Sequence, residues 1–257
     1  MTSTTPHSRS TPPTGARWWG SHLGGRLLRE AALVVLLYAL YKLGRTLSRD
    51  EVGSAFANAD QILSIERFFG IANERSLQRL ILDNHALVIL LNRYYATVHF
   101  PVTLGFLIFT YVRHPQLYRR VRWLFVLTTA SGLLIHVLYP LAPPRLLPGF
   151  VDTITVYGPR IYSNASVTSQ ANQFAAMPSL HFAWAVLVAY GIVRAGPNRW
   201  RWLAVAHPVM TVAAIVLTAN HFWLDAVLGG VLVLMSLWVV RSVEHRFSDR
   251  QAATVGG

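Results

Sequence analysis

Long runs of apolar residues limit how this chain can fold more than any other feature of its sequence. Of the 257 residues, 53% are hydrophobic and only 13% are charged, which is too apolar for a protein whose whole surface faces water. A helix needs about 20 apolar residues to cross a hydrocarbon layer roughly 30 Å thick, and the runs approach this length. The sequence therefore predicts an all-α fold, a polytopic membrane helical bundle.

The bundle is predicted to contain about six transmembrane helices. The apolar runs lie at about Leu28–Leu43, within His85–Val112, and at about Val121–Leu141, Ser179–Val193, Trp202–Ala219 and Phe222–Val240. Between the first two, an interfacial helix is predicted over Ala59–Phe69, because Ile62, Ile65 and Phe69 share one helix face. Gly70 is expected to end this helix, and Asn73 to cap the next one.

Composition divides the chain into three regions. Residues 1–25 are rich in Ser, Thr, Pro and Gly and are expected to form a disordered cytoplasmic tail. Residues 26–246 are expected to form the six-span membrane domain that carries the chemistry. Residues 247–257 are polar and are expected to form a loose cytoplasmic tail.

The basic residues predict how the chain is oriented in the membrane. The net charge is +12, and most basic residues lie at the ends of apolar runs, as in cytoplasmic membrane loops, with no aromatic-and-basic pattern that would favour nucleic acid. Residues 113–122 carry four arginines, whereas Lys42, Arg45 and Arg49 oppose the same orientation. We expect a multi-pass protein of the cell membrane with cytoplasmic termini and extracytoplasmic loops at 46–84 and 142–178. Cysteine is absent, which excludes disulfides and thiolate chemistry.

The first motif that could do chemistry is Met177-Pro178-Ser179-Leu180-His181, at the start of the fourth span. Pro178 suits the first position of a helix, and the free amides and dipole at that end favour an anion. Ser179 could add a hydroxyl donor, and His181 would lie near the same anion. The alternative is an ordinary interfacial helix cap with a solvated histidine.

The second motif is Asn220-His221-Phe222-Trp223-Leu224-Asp225, at the start of the sixth span. His221 and Asp225 are four residues apart and are predicted to share a helix face. A carboxylate that accepts from one imidazole nitrogen fixes the tautomer and leaves the other nitrogen free to attack. The alternative is a structural His–Asp pair that holds helices together.

Two arginines could bind a phosphate near these motifs. The proline-rich run that ends at Arg145 forms a stiff turn after the third span, and a guanidinium matches phosphate oxygens. Arg93 is expected near the outer interface, while His99 is deeper and reads better as a packing residue. The alternative for Arg145 is a helix terminator with an interfacial arginine.

Together these motifs resemble the type 2 phosphatidic acid phosphatase superfamily. In that family a Pro-Ser-x-His motif and a His-x-x-x-Asp motif open two membrane helices, as residues 178–181 and 221–225 do here. The flanking Ala-Pro-Pro-Arg and Asn-His-Phe-x-Leu-Asp sequences look most like the branch with inositol phosphorylceramide synthases, other inositolphosphotransferases and their bacterial relatives. The likeness covers roughly residues 55–240.

The chain departs from the family at two basic motifs. The wider family has Lys-x6-Arg-Pro, whereas Leu138 stands at the lysine position and Leu146 follows Arg145. The family's Ser-Arg pair before the third motif is replaced by Ala214 and Ile215. Arg145 and Arg93 are therefore expected to bind the phosphate instead, or the substrate is held differently.

The resemblance implies a mechanism. His221 is the nucleophile on a lipid-linked phosphate or phosphodiester, Asp225 orients it, and His181 transfers the proton. Ser179, Arg145 and Arg93 contact the phosphate, and neither a cofactor nor a metal is required. Water as acceptor makes a phosphatase, and an alcohol such as inositol makes a phosphotransferase; the oligomeric state stays open.

Two functions from other classes stay open as alternatives. His181, His221 and Asp225 could ligate a divalent ion in a metal-dependent membrane hydrolase. The intramembrane Arg and His residues could also belong to a non-catalytic transporter or scaffold, although no internal repeat of spans supports transport.

Overall fold

A computed structural model describes residues 25, 28–39, 42, 51–157 and 174–255 of the chain. The predicted disordered tail, residues 1–25, lies outside the described residues except at Gly25. The chain divides into two compact units, residues 1–39 and 40–257. In the first, residues 28–39 are helical and coincide with part of the predicted first span. The second contains every candidate site residue.

The second unit is built from helices, in agreement with the predicted all-α fold. In chain order they are α1 (Val52–Phe68), α2 (Glu74–Leu82), α3 (His85–Arg93), a π-helix (Tyr94–Val98), α4 (His99–Arg113), α5 (Pro115–Leu138), a 3₁₀-helix (Pro144–Leu146), α6 (Thr153–Tyr157), α7 (Leu180–Ala195), a second 3₁₀-helix (Arg199–Val205), α8 (Ala206–Leu217) and α9 (Trp223–Val255).

Four of the helical segments in the described part of the chain are long and apolar enough to cross a membrane. They are His85–Arg113, which runs through the π-helix, and Pro115–Leu138, Arg199–Leu217 and Trp223–Arg246. Helix α7 is apolar but has only 16 residues, about 24 Å at the usual helical rise. Large apolar side chains such as Leu104, Leu134 and Leu234 are exposed on the outside of the bundle, where lipid suits them better than water. The membrane bundle is confirmed, and the count of six spans stays a prediction.

The interfacial helix exists, but its buried face is not the predicted one. Helix α1 starts at Val52, seven residues before the predicted start at Ala59. Ile65 and Phe69 are exposed. The buried stripe is instead Ala55, Ala59, Ile62 and Glu66. The small alanines let the helix approach the loop that follows α5, and the amide of Ala142 donates to the carbonyl of Ala55 at 3.0 Å.

The predicted end of α1 and the predicted cap residue of α2 agree with the structure, although the start of α1 does not. Gly70 ends the helix with φ +69°, a left-handed conformation that glycine adopts without a steric penalty. Asn73 is the N-cap residue of α2, but its side chain makes no capping bond. Its Oδ1 accepts instead from the indole Nε1 of Trp223 at 2.9 Å, so it ties α2 to the start of α9.

Helix α9 continues beyond the end of the predicted sixth span. It runs to Val255 without interruption, so the segment from Phe247 is helical, not loose as expected. The polar residues there keep helical backbone geometry because the long apolar helix before them is already nucleated, and extension then adds one hydrogen bond per residue.

Small residues allow α5, α7 and α9 to pack closely against one another. A Cβ atom added at Gly229 of α9 would lie only 2.6 Å from the backbone carbonyl oxygen of Ser179. A backbone atom cannot rotate away as a side chain can, so only glycine fits here. Small residues are the usual means of close helix approach in membranes. Gly229 therefore sets how near α9 comes to the start of α7.

We predict that Gly229→Ala separates the start of α7 from α9 and destabilises the protein by about 1–3 kcal/mol, the usual cost of overpacking. Thermal unfolding in detergent measures this effect. Gly230→Ala is the matched control, because the nearest atom to its added Cβ is a Phe182 ring carbon at an ordinary 3.7 Å. Equal stability of the two variants would contradict the prediction.

Candidate active site

The site lies at one end of the bundle, where the two sequence motifs are joined by backbone hydrogen bonds. The amide of Ser179, just before α7, donates to the carbonyl of Asp225 in α9 at 2.9 Å. The amide of Arg145 donates to the carbonyl of Ala219 at 2.8 Å. The chain after α5, the start of α7 and the turn before α9 therefore form one connected framework around His221.

His221 and Asp225 form the predicted pair, but not on a shared helix face. Helix α9 begins at Trp223, so His221 lies in the turn before it. Nδ1 of His221 lies 3.1 Å from Oδ2 of Asp225, and the same oxygen accepts from the amide of Phe222 at 2.9 Å. The capping role of Asp225 starts the helix after His221. Both side chains are buried, with His221 4% and Asp225 0% exposed.

The hydrogen bond assigns the tautomer of His221. An ionised carboxylate only accepts, so Nδ1 carries the proton and Nε2 keeps its lone pair. The other oxygen of Asp225, Oδ1, is buried and has no hydrogen-bond partner among the described residues. Its negative charge is therefore only partly neutralised, and it favours a positive charge on His221.

The Ser179–His181 motif adopts a slightly different arrangement from the predicted one. Helix α7 starts at Leu180, with Ser179 as its N-cap residue. Pro178 thus precedes the cap instead of occupying the first helical position, because the Ser179 hydroxyl accepts from the amide of Phe182 at 3.4 Å and fixes the helix start. The hydroxyl hydrogen of Ser179 remains a potential donor to a bound anion.

His181 faces His221 across the start of the two helices. Their ring centroids are 6.4 Å apart, with an interplanar angle of 55°. On its other side, His181 contacts Tyr95 at 4.4 Å and His99 at 4.9 Å between centroids. The π-helix Tyr94–Val98 widens the turn here, and such insertions are frequent at functional sites.

His99 is not the satisfied packing residue that the sequence indicated. It is 1% exposed, and neither ring nitrogen has a hydrogen-bond partner within the described ranges. Buried polar groups are nearly always paired, so two ring nitrogens without a partner in the described chain distinguish His99 from an ordinary packing residue. His99 therefore extends the polar character of the site beyond His181 into the bundle.

The two arginines occupy different environments. Arg145 is largely buried, and its Nε lies 3.3 Å from Oδ1 of Asp152. Its backbone is joined to the turn that carries His221, so it lies beside the site with its guanidinium held by a carboxylate. Arg93 is exposed at the end of α3, and no contact described for it connects it to the two histidines. The structure thus brings together Ser179, His181, His221 and Asp225, and it joins the backbone of Arg145 to the turn that carries His221.

Sequence reasoning missed three ionisable residues that border the site. His136, near the end of α5, has Nε2 3.1 Å from the carbonyl oxygen of Pro178. Glu74 accepts from the amide of Trp223 at 3.3 Å, and Glu66 accepts from the amide of Leu224 at 2.9 Å. One signal was available for Glu66: it follows Ala55, Ala59 and Ile62 at helical spacing, so it is an acid on an otherwise apolar stripe.

Comparison with known proteins decides the family. The family model of the PAP2 superfamily, the type 2 phosphatidic acid phosphatases, matches residues 60–239. The chain belongs to the PAP2 superfamily. Membership supports a phosphatase-type activity and an enzyme of the phosphatase or phosphotransferase class. No curated protein and no solved structure matches the chain.

This PAP2 member has apolar residues, Ala214 and Ile215, at the positions of the superfamily's Ser-Arg pair. Ala214 packs against Ile81, Val88 and Leu91, and Ile215 is fully buried beside Ala226. A charged side chain would not be accommodated in either cluster without a partner. The replacement of the Ser-Arg pair by two apolar residues is therefore matched by the apolar packing of α8.

We predict that Asp225→Asn lowers phosphatase-type turnover by about 100-fold or more, because an amide neither holds the Nδ1–H tautomer nor stabilises a charged imidazole. The asparagine oxygen still accepts from Phe222, so the helix start is retained. Phosphate release and thermal unfolding should be measured together, with Asp60→Asn on the exposed face of α1 as the control. An Asp225→Asn enzyme with more than half the wild-type turnover would contradict the assigned role.

Proposed function

We propose that this protein is a membrane-embedded phosphatase or phosphotransferase that acts on a lipid-linked phosphate or phosphodiester through a phosphohistidine at His221. The observation that carries the proposal is the 3.1 Å hydrogen bond between Nδ1 of His221 and Asp225. It leaves Nε2 of His221 free to act as the nucleophile, with the ring of His181 6.4 Å away between centroids. Superfamily membership supports the reaction class.

The reaction proceeds in two balanced steps. First, Nε2 of His221 forms a bond to phosphorus while the bond to the lipid oxygen breaks, and protonated His181 gives its proton to that oxygen. Second, His181 removes a proton from water or an alcohol, whose oxygen attacks phosphorus and breaks the bond to nitrogen. Asp225 stabilises the positive charge that His221 carries between the steps.

Ser179 and Arg145 are the proposed phosphate contacts. The hydroxyl hydrogen of Ser179 is available beside His181, and the backbone amide of Arg145 is bonded to Ala219, in the turn before His221. A phosphate carries more negative charge than the Asp152 carboxylate that now holds Arg145, so it competes for the planar fork of donors. Arg93 is exposed, and a role for it requires a substrate headgroup that extends beyond the two histidines.

The site lies where a lipid can reach it, at the helix ends and next to the interfacial helices α1 and α2. From the distribution of basic residues, we place this end on the extracytoplasmic face of the cell membrane, with both termini in the cytoplasm. The substrate then enters laterally from the outer leaflet. The acceptor is water or an alcohol such as inositol, as in the inositolphosphotransferase branch that the motifs resemble.

A metal-dependent hydrolase and a non-catalytic transporter or scaffold are the two alternatives to this proposal. Among the residues that the structure describes, no three His, Asp or Glu side chains are arranged to hold a metal ion; activity in the presence of a chelator tests the metal-dependent alternative. A transporter or scaffold does not need a histidine whose Nε2 lone pair is kept free by a carboxylate, as the bond from His221 to Asp225 does here. The metal-dependent alternative predicts that turnover requires a divalent ion, and the transporter or scaffold predicts no turnover of a lipid phosphate.

Product analysis by mass spectrometry tests the proposal. Purified enzyme in detergent, with EDTA present, should convert at least one of phosphatidic acid, lysophosphatidic acid, sphingosine 1-phosphate and phosphatidylinositol, each offered with and without inositol. Free phosphate identifies a phosphatase, and a transferred headgroup identifies a phosphotransferase. We expect His221→Ala to lose turnover by about 1,000-fold or more.

His245→Ala is the matched control, because this histidine is exposed at the far end of α9. It should retain wild-type turnover. Full turnover by His221→Ala would exclude the proposed nucleophile, and loss of wild-type activity in EDTA would favour the metal-dependent alternative.

A further inference from the structure

The first turn of α9 has an unusual set of hydrogen-bond partners. The first amides of a helix have no partner within the helix. Here the amide of Phe222 donates to Asp225, the amide of Trp223 to Glu74, and the amide of Leu224 to Glu66. Three carboxyl groups from three different helices therefore accept hydrogen bonds from the three backbone amides that follow His221.

Two of these carboxyl groups come from the interfacial helices and are buried. Glu66 is 0% and Glu74 is 1% exposed. Burial of two acids is costly unless their oxygens are hydrogen-bonded, and an exposed surface helix such as α1 gains nothing from it. What the pair does achieve is contact with consecutive amides of the turn that carries His221. Asn73 adds a third bond, to the Trp223 indole.

The charge state of the pair follows from its surroundings. Burial raises the pKa of Glu66 to about 9; its hydrogen bond with Glu74 and the negative charges of Glu74 and Asp225 act in the same direction, and the Leu224 amide opposes them. Glu66 is therefore protonated at neutral pH. The Leu224 amide donates to Oε1, so the proton is placed on Oε2, where Glu74 is the group that favours the protonated form.

We propose that Glu66 and Glu74 are positioning residues that share one proton and fix the turn of His221 relative to His181. This inference rests on the proposed function, because it assigns the pair a role in orienting the nucleophile. Reacting groups must be held within a fraction of an ångström, and a displacement of about 1 Å can lower a rate on the order of 100-fold. Neither residue touches the substrate, so the pair should affect kcat and leave KM nearly unchanged.

Substitutions at Glu66 separate this role from simple stability. Glu66→Gln keeps the shape, the oxygen that accepts from Leu224 and a donor toward Glu74, so it mimics the protonated acid. We expect it to retain kcat at pH 7 within about twofold. Glu66→Ala removes both bonds, and we expect a kcat at least about tenfold lower with KM changed by less than about twofold. Asp60→Ala, an exposed acid of the same helix, is the control.

The pH dependence gives a second readout. The ionisable groups that act on Glu66 are Glu74 from α2 and Asp225 from α9. Ionisation of Glu66 puts a second charge beside Glu74 and removes the shared proton, so wild-type kcat should fall as the pH rises through about 9. At pH 10 we expect the ratio of wild-type kcat to Glu66→Gln kcat to be about tenfold below its maximum, because the Gln variant lacks the ionisable carboxyl group.

Ionisation of Glu66 should also lower the free energy of unfolding as the pH rises. Folding raises the pKa of Glu66 from 4.5 to about 9, so its contribution is complete below pH 4.5 and is lost as the pH rises toward 9. The melting temperature of the wild type should therefore fall relative to that of Glu66→Gln across this interval. Hydrogen exchange at residues 222–224 should be faster in Glu66→Ala and unchanged in Glu66→Gln.

Each outcome supports or overturns the inference. If Glu66→Gln loses as much kcat as Glu66→Ala, or keeps the wild-type loss of activity near pH 9, the shared proton has no positioning role. If Glu66→Ala does not fold, the Gln variant and its pH profile decide alone. The assay uses the lipid that the wild type converts fastest in the panel above. Turnover by His221→Ala would overturn the proposed function. If His221→Ala is inactive but Glu66→Ala and Glu66→Gln both keep the kcat of the wild type, only this inference is overturned.

Discussion

The hydrogen bond from the Ser179 amide to the Asp225 carbonyl is the contact on which the site depends. It joins the first residue before α7 to the first turn of α9, and it forms only because Gly229 lets the two backbones approach. The remaining geometry follows from it. Ser179 caps α7 and so fixes His181, while Asp225 caps α9 and so fixes His221. A bundle of apolar helices thereby holds two histidines about one side-chain length apart.

The polar groups of the site are satisfied by one another, which is why they can lie at the end of an apolar bundle. Asp225 uses one oxygen for His221 and for its own helix start, and the interfacial helices supply two more carboxyl groups to the same turn. Oδ1 of Asp225, Oε2 of Glu66 and both ring nitrogens of His99 are among the buried atoms without a hydrogen-bond partner in the described chain.

The sequence predicted the features that depend on local spacing and missed those that depend on tertiary contacts. Apolar runs located the bundle, and a separation of four residues identified the His221–Asp225 pair. The two residues were expected on one helix, whereas His221 lies in the turn before α9 and Asp225 lies in its first turn. Glu66 and Glu74 are about 150 residues away from the amides they bind, and no local pattern connects them. The role of Arg145 stays a prediction, and its pairing with Asp152 depends on the folded loop, which no local pattern shows.

The most direct test of the central claim is to trap the covalent intermediate. Wild-type enzyme should be quenched in alkali during turnover of a radiolabelled lipid phosphate, since a phosphorus–nitrogen bond survives alkali and is broken by acid. Peptide mass spectrometry should then find phosphate on His221, with acid-labile label that is absent from His221→Ala. Label on another residue, or rapid turnover with no labelled histidine at any time point, would contradict the account.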